Sequence, residues 1–181
     1  DPTTATTTTT SETKTVTVKE NKPFVEDTDK KKKFLSEEQW SWLESELRKP
    51  AAFRVLVSSI QVIANDHQFE KWGLFPHERE RLLNLIKYTK AKNLVILSGN
   101  RQIGSIAQTE IKGLGKIYDV TSSPMNLMAS QGNVLKDASY TKEAYAEVNF
   151  GLIKIDWSSR KATVELHAAD NSVVNSADIK F

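Results

Sequence analysis

The chain has 181 residues and no cysteine, with 25 lysines and arginines against 23 aspartates and glutamates. Its length predicts one domain that can bury a core, and its 39% hydrophobic and 27% charged residues are typical of a soluble globular protein. The absence of cysteine excludes a disulfide framework, a thiolate metal site and a cysteine nucleophile. A net charge of +2 is too small to indicate a nucleic-acid partner, and the sequence has no run of about 18 apolar residues that would predict a transmembrane segment.

The first 33 residues differ in composition from the rest of the chain. Ten of the first eighteen are threonine, and residues 30–33 are four consecutive lysines. A segment with so few bulky apolar side chains cannot offset the entropy lost when its backbone is ordered, so we predict that residues 1–33 are disordered or loosely held. The chain opens on Asp1 with neither an initiator methionine nor a signal sequence, which is typical of a processed product or a fragment. The domain itself is predicted over residues 34–181.

The first predicted element is a helix that starts after Ser36. Ser36 and Gln39 fit a capping box, and Pro50 ends the helix. Apolar residues recur at helical spacing within it and are assigned to the core: Trp40, Leu43 and Leu47. Trp42 lies on a neighbouring face and is predicted to be half-buried.

A strand–helix–strand pattern follows. Residues 53–57 and 94–97 predict strands, the second buried on both faces, and Pro76 opens a helix between them. Strands joined through a helix are usually parallel, and sites in parallel sheets lie at the carboxyl ends of the strands. Here those ends carry residues 58–59 and 99–102.

The last third of the chain predicts strands joined by polar turns. They are residues 106–111, 117–120, 150–157, 162–168 and 173–181. Residues 124–146 form a long irregular stretch, and loops of this size in compact domains are often functional. The fold predicted from the residues alone is α/β followed by an antiparallel meander.

Three histidines are the main candidates for polar chemistry. His67, in a polar loop, is either a ligand or proton shuttle or a hydrogen-bonded structural residue. His77 follows the helix-opening proline and His167 alternates with apolar residues, so both are predicted to face solvent. The sequence contains no HExxH motif, phosphate-binding glycine loop or Gly-X-Ser-X-Gly elbow. The residues by themselves predict no complete catalytic set.

Several separate blocks of the sequence are nevertheless similar to one family of metallophosphatases. Residues 35–44 (LSEEQWSWLE) resemble the helix entry of the alkaline phosphatase D family. Further blocks of resemblance follow in the same order: residues 57–62, 67–72, 75–79, 118–123 and 149–157. Together they span about residues 34–181, which makes the resemblance more specific than one short motif.

This resemblance implies an α/β fold, the C-terminal part of a two-sheet metallophosphatase sandwich that is flanked by helices and ends in an antiparallel meander. It implies a metal-dependent phosphatase or phosphodiesterase that hydrolyses phosphate esters. Calcium and iron are the implied metals, and they would offset the charge on the phosphoryl group. The family also suggests an extracellular or periplasmic location.

The metal motif departs from the family pattern. The family has Ser-Gly-Asp-X-His after the buried strand, whereas residues 98–102 read SGNRQ. Asn100 and Gln102 occupy the metal-ligand positions without a charge or an imidazole, and both changes are expected to weaken metal binding. Ser105 also stands where an acidic residue is expected.

Two residues are candidates for substrate binding. Arg101 is one, because its planar donors suit phosphate oxygens, and His67 is the other. The alternative for Arg101 is a plain surface residue beside the changed motif.

The family carries its other metal-ligand blocks upstream of the stretch that matches here. We therefore expect the chain to be the C-terminal half of such an enzyme, to have the missing N-terminal half as a partner, and to be inactive alone. A second hypothesis is a catalytically inactive binding or structural module that kept the fold and lost the ligands. Exposed strand edges would make the isolated chain prone to association.

Overall fold

The computed structural model describes residues 24–126 and 135–181. Its helices are α1 (Glu37–Arg48) and α2 (Pro76–Tyr88), with a short 3-10 helix at Trp72–Leu74 before α2. The strands are β1 (Arg54–Val57), β2 (Leu94–Ser98), β3 (Ser105–Ile111), β4 (Gly115–Thr121), β5 (Asn149–Asp156), β6 (Lys161–Ala168) and β7 (Val173–Lys180). No helix within the described residues is long and apolar enough to cross a membrane.

The strands form two sheets. The first has the order β1-β2-β4-β3, in which β1, β2 and β4 run parallel and β3 pairs antiparallel with β4. The second is the antiparallel meander β5-β6-β7. The predicted fold class, an α/β arrangement with two sheets and a closing meander, is confirmed.

The first sheet is covered on both faces at its centre. One core layer lies between this sheet and the two helices and includes Leu43 of α1, Leu82 of α2 and Ile96 of β2. The other layer lies between the two sheets and includes Val95 of β2 and Leu166 of β6. Because Val95 and Ile96 point to opposite faces and are both fully buried, β2 is the doubly buried strand that its continuous apolar sequence predicts.

Helix α1 begins with the predicted capping box. The N–H of Gln39 donates to Ser36 Oγ (3.2 Å), and the N–H of Ser36 donates to Gln39 Oε1 (2.9 Å). The three predicted core residues of this helix are buried: Trp40, Leu43 and Leu47. The prediction for Trp42 is wrong, since 62% of this residue is exposed. Helix α1 lies over β1 at the edge of the sheet, so a side chain that flanks its buried stripe projects past the sheet.

Two of the three histidines are less exposed than predicted. His167 is 4% exposed, and its Nε2 lies 2.7 Å from Glu165 Oε2. The prediction failed because the register of β6 against β7 shifts between Leu166 and His167, and such a bulge breaks the alternation of faces. His77 is half-buried, with its Nε2 2.8 Å from the carbonyl oxygen of Lys32.

The described part of the long irregular stretch covers the outer edge of β3. Gly104 and Tyr145 exchange a pair of backbone hydrogen bonds (both 2.7 Å), and the N–H of Thr141 donates to the carbonyl oxygen of Ile106 (2.9 Å). This edge of the first sheet is therefore closed. Residues 127–134 of the stretch lie outside the described residues.

Glu78, a buried glutamate of α2, holds the segment of the chain that precedes α1. Oε2 of Glu78 accepts three hydrogen bonds, from the backbone N–H groups of Phe34 (3.0 Å) and Leu35 (3.3 Å) and from the indole N–H of Trp40 (3.2 Å). One carboxylate oxygen thus fixes both the entry to α1 and its first buried side chain. Residues 1–23 of the predicted N-terminal segment lie outside the described residues.

We expect Glu78→Ala to lower the free energy of unfolding by about 2–4 kcal/mol, because it leaves two backbone N–H groups and an indole N–H without their acceptor. Glu80→Ala removes an equal charge from an exposed position of the same helix and should change stability by less than about 0.5 kcal/mol. Urea unfolding followed by circular dichroism measures both. Equal effects of the two substitutions would show that the three hydrogen bonds to Glu78 contribute nothing beyond its charge.

Candidate functional site

The carboxyl ends of β1, β2 and β4 lie side by side at one end of the strands of the first sheet. The register pairs Val57 with Leu97 and Ser98 with Thr121, so the loops after the three strands start next to one another. Two of these loops are the ones that the sequence analysis selected. Ligands of parallel sheets usually bind at such an edge.

A buried carboxylate in β4 fixes the loop after β1. Oδ2 of Asp119 accepts the backbone N–H groups of Val62 (2.7 Å) and Ile63 (3.0 Å), and Oδ1 accepts the hydroxyl of Ser98 (2.6 Å). Burial, the largest effect, raises the pKa of Asp119, and these hydrogen bonds oppose the rise. Arg79 of α2 donates to the carbonyl oxygens of the same two residues, Val62 (2.6 Å) and Ile63 (2.9 Å). One acidic and one basic side chain therefore hold this stretch of backbone.

A polar cluster lies next to the backbone of Val62 and Ile63. Gln61 is 1% exposed, and its Nε2 lies within hydrogen-bond distance of Thr121 Oγ1 (2.7 Å), Ser105 Oγ (3.1 Å) and Tyr140 Oη (3.2 Å). The sequence analysis missed Gln61, Thr121 and Tyr140, and it noted Ser105 only as a departure from the family pattern. The available signal was the pairing of β3 with β4, which sets Ser105, the first residue of β3, opposite Thr121, the last residue of β4.

The loop after β2 has an unusual backbone and is attached on two sides. Asn100 and Gln102 have positive φ angles of 63° and 56°, in the left-handed region that favours glycine. Asn100 donates from Nδ2 to Glu70 Oε2 (2.7 Å), and the backbone N–H of Gln102 donates to Ser123 Oγ (3.3 Å). The structure therefore brings Asn100 beside an acidic residue of the loop that also carries His67.

Arg101, between those two residues, lies inside the protein. It is 4% exposed, and its guanidinium carbon is 3.9 Å from the centre of the Phe69 ring, a cation–π contact. Burial lowers the pKa of Arg101, and Tyr140 and Asp137 act in the opposite direction. The guanidinium remains charged, since its pKa starts far above neutrality. The alternative of a plain surface residue does not agree with this burial.

His67 is buried close to Arg101. Its exposure is 1%, and its ring centre lies 6.1 Å from that of Phe69. Nδ1 accepts the backbone N–H of Phe69 (3.2 Å), so the neutral ring carries its proton on Nε2, which has no hydrogen-bond partner among the described residues. Burial, together with the positive charges of Arg101 and Lys71, lowers the pKa of His67 to about 4. His67 is therefore a neutral N–H donor at pH 7.

The residues at the implied metal positions do not match what a cation needs. Asn100 and Gln102 offer neutral amide oxygens, and Asn100 is hydrogen-bonded to one carboxylate, that of Glu70. Between residues 24 and 126 and from 135 to 181, no three histidine, aspartate or glutamate side chains are grouped so that they could hold a metal ion. Protein sites for calcium and iron use several carboxylates or imidazoles. The described residues therefore do not fit a metal centre without further ligands.

The burial of His67 predicts a pH-dependent stability. The pKa of His67 is 6.5 in the unfolded chain and about 4 in the folded chain. As the pH is lowered, the proton therefore binds the unfolded chain first and favours unfolding. The stabilisation is therefore complete above pH 6.5 and is lost as the pH falls toward 4, which amounts to about 2 kcal/mol between pH 7.5 and pH 5. We expect His67→Gln to remove this part of the pH dependence and His77→Gln to keep it. Urea unfolding at both pH values measures it, and equal pH dependence in the parent and His67→Gln would contradict the prediction.

Comparisons with known proteins identify the family. The family model of the PhoD-like phosphatases matches residues 5–166. A solved structure described as "Structure of PhoD" superimposes on 80% of this chain with a TM-score of 0.60 and 15% sequence identity. The match covers 31% of that structure's chain, and a search of curated proteins finds no significant match. A structural likeness at this identity establishes the fold, and the family model covers most of the sequence, in agreement with the resemblance found in its motifs. The chain therefore belongs to the PhoD-like phosphatase family.

Proposed function

We propose that this chain is part of a phosphatase-type protein that acts on phosphate esters, and that hydrolysis needs residues beyond those in this sequence. The substrate class, phosphate esters, is inferred from membership in the PhoD-like phosphatase family. The need for further residues is supported by two facts. No sufficient group of metal ligands lies within residues 24–126 and 135–181, and the chain spans 31% of the PhoD structure that it matches.

Arg101 and His67 are the residues that we assign to the phosphoryl group. Arg101 supplies a cation whose planar donors match phosphate oxygens, and His67 supplies a neutral N–H donor at Nε2. Arg101 is 4% exposed and the Phe69 ring lies against its guanidinium, so the residues around Arg101, Phe69 among them, have to rearrange before a phosphate ester reaches it. The role of both residues is to bind and orient the charged group rather than to break a bond.

Hydrolysis of a phosphodiester tests this proposal. We expect the full chain alone, with calcium and iron, to release no p-nitrophenol from bis(p-nitrophenyl) phosphate. Release should begin when a polypeptide equivalent to the remaining part of a PhoD-like phosphatase is added. Arg101→Met should then lower the rate by about tenfold or more, because it removes a cation that faces the phosphoryl group. Lys112→Met removes the same charge from an exposed position and should leave the rate unchanged. Hydrolysis by the chain alone would contradict the proposal.

The second candidate is a catalytically inactive binding or structural module with the same fold. It is favoured by the internal use of polar side chains in the loop after β2, where Asn100 donates to Glu70 and Arg101 stacks on Phe69. A loop whose polar groups are engaged by its own neighbours stabilises the fold without any ligand.

Restoring the family's metal motif separates the two candidates. In the double variant Asn100→Asp, Gln102→His, a carboxylate replaces the amide that faces Glu70, and an imidazole follows two residues later. Two carboxylates at this distance repel each other unless a cation lies between them. We therefore expect the double variant to bind Mn²⁺ at least about tenfold more tightly than the parent in isothermal titration calorimetry.

The matched control adds Glu70→Gln to the double variant. This removes the facing carboxylate and should return the affinity for Mn²⁺ to nearly that of the parent, because the acidic pair is lost. Equally weak binding by the parent and the double variant would favour the inactive module.

A further inference from the structure

His167, near the end of β6, lies between two hydrogen-bond acceptors. Its Nε2 is 2.7 Å from Glu165 Oε2, and its Nδ1 is 3.0 Å from the carbonyl oxygen of Asn171, in the turn between β6 and β7. The residue is 4% exposed, so water has little access to replace either contact. A neutral imidazole carries one N–H and donates to only one acceptor. The ring satisfies both acceptors only when each of its nitrogens carries a proton.

The carboxyl group of Glu165 does not supply the second proton. Lys154 of β5 lies beside it, with its Nζ 3.0 Å from Oε1 and 2.8 Å from Oε2. The hydrogen bond from Lys154, and after it the one from His167, lowers the pKa of Glu165, so this group is an ionised acceptor at neutral pH. The backbone carbonyl of Asn171 is likewise only an acceptor. His167 is therefore an imidazolium ion that donates at both nitrogens.

An aromatic ring also favours a positive charge at this position. Phe150 of β5 stacks on the imidazole of His167, with 5.0 Å between the ring centres and 17° between the ring planes. The face of an aromatic ring attracts a cation. The imidazolium ion therefore contacts β5 through Phe150, β6 through Glu165 and the β6–β7 turn through Asn171.

The charged groups that act on His167 come from β5 and β6. The hydrogen bond to Glu165 and then the one to the carbonyl of Asn171 raise the pKa of His167, whereas burial and the charge of Lys154 lower it, and the net shift is upward. From β7, the uncharged Val173 lies opposite His167.

The acidic residue of the β6–β7 turn is engaged within the turn itself. Oδ1 of Asp170 accepts the backbone N–H (2.9 Å) and the hydroxyl (2.6 Å) of Ser172. The turn therefore meets the ring of His167 through the carbonyl of Asn171.

Loss of one ring proton breaks a specific contact. A hydrogen bond to a carboxylate is stronger than one to a neutral carbonyl, so the remaining proton stays on Nε2, facing Glu165. Nδ1 then presents a lone pair to the carbonyl oxygen of Asn171, and two acceptors 3.0 Å apart repel each other. The turn has two backbone hydrogen bonds near this carbonyl, from Asn171 to Ala168 and from Ala168 to Ser172 (both 2.9 Å). Both are exposed to the repulsion.

We propose that His167 is a pH-sensitive latch, whose imidazolium ion holds the β6–β7 turn on the second sheet at neutral pH and releases the turn when it loses a proton at alkaline pH. The latch is independent of the proposed function, because it contains none of the residues assigned to phosphate.

The latch gives a pH dependence opposite in sign to that of His67. The folded chain holds the proton of His167 more tightly than the unfolded chain, in which the pKa is 6.5. Its contribution to stability is therefore complete below pH 6.5 and is lost as the pH rises through the higher pKa of the folded chain.

NMR of the full chain labelled with nitrogen-15 tests the protonation state. We expect both ring nitrogens of His167 to carry a proton at pH 7, whereas His67 carries one, on Nε2. Two substitutions should move the pKa of His167 in opposite directions: Glu165→Gln lowers it by removing a negative charge, and Lys154→Met raises it by removing a positive one. Shifts in the same direction would indicate a merely structural disturbance and contradict the latch.

Hydrogen exchange tests the release of the turn. The protection factors of the Ala168 and Asn171 amides should fall by about tenfold or more as the pH passes the pKa of His167, and the midpoint of the fall should move with that pKa in the two variants. The amides of Ile96 and Val120, in the first sheet, should keep their protection and report that each variant is folded.

Three further outcomes would overturn the proposal. The first is a single protonated ring nitrogen on His167 at pH 7, or a pKa at or below 6.5. The second is a carbon-13 carboxyl resonance that shows Glu165 protonated at pH 7, because the carboxyl group would then be the donor. The third is protection of the Ala168 and Asn171 amides that does not change while His167 titrates.

Discussion

The candidate site depends on the buried carboxylate of Asp119. Burying a carboxyl group costs free energy, and hydrogen bonds from Val62, Ile63 and Ser98 reduce this cost at Asp119. Those donors come from the loop after β1 and from the end of β2, so one side chain of β4 joins the carboxyl ends of three parallel strands. Gln61 directly precedes Val62 and Ile63, and its side chain is thereby directed into the polar cluster at the carboxyl ends of these strands.

Local sequence signals predicted the local structure well. The capping box at Ser36 and the apolar run of β2 depend on residues close together in sequence, and both were found where expected. The failures came from tertiary context. Trp42 is exposed because its helix lies at the edge of a sheet, and His167 is buried because a bulge shifts the pairing of two strands. The insertion of β4 between β2 and β3 is likewise fixed by packing of the whole domain rather than by chain order.

The candidate site was predicted less completely than the fold. Arg101 and His67 were selected through the resemblance to a family, but their meeting at Phe69 depends on how two separate loops pack. The contact of Gln61 with Tyr140 joins residues 79 positions apart, which no local pattern reveals. The meeting at Phe69 also has an electrostatic effect, since the charge of Arg101 is one cause of the low pKa of His67. An anion bound to that guanidinium would weaken its effect and raise the pKa of the imidazole.

The positive φ angles of Asn100 and Gln102 bear on how this loop can evolve. Asparagine, aspartate and histidine are the residues other than glycine that most often adopt the left-handed conformation. The backbone already present therefore accepts aspartate at the first position and histidine at the second, and histidine is better tolerated there than glutamine. Each exchange is a single-base change in the genetic code. A lineage could pass between the neutral and the charged form of this loop, in either direction, without rebuilding the strand ends around it.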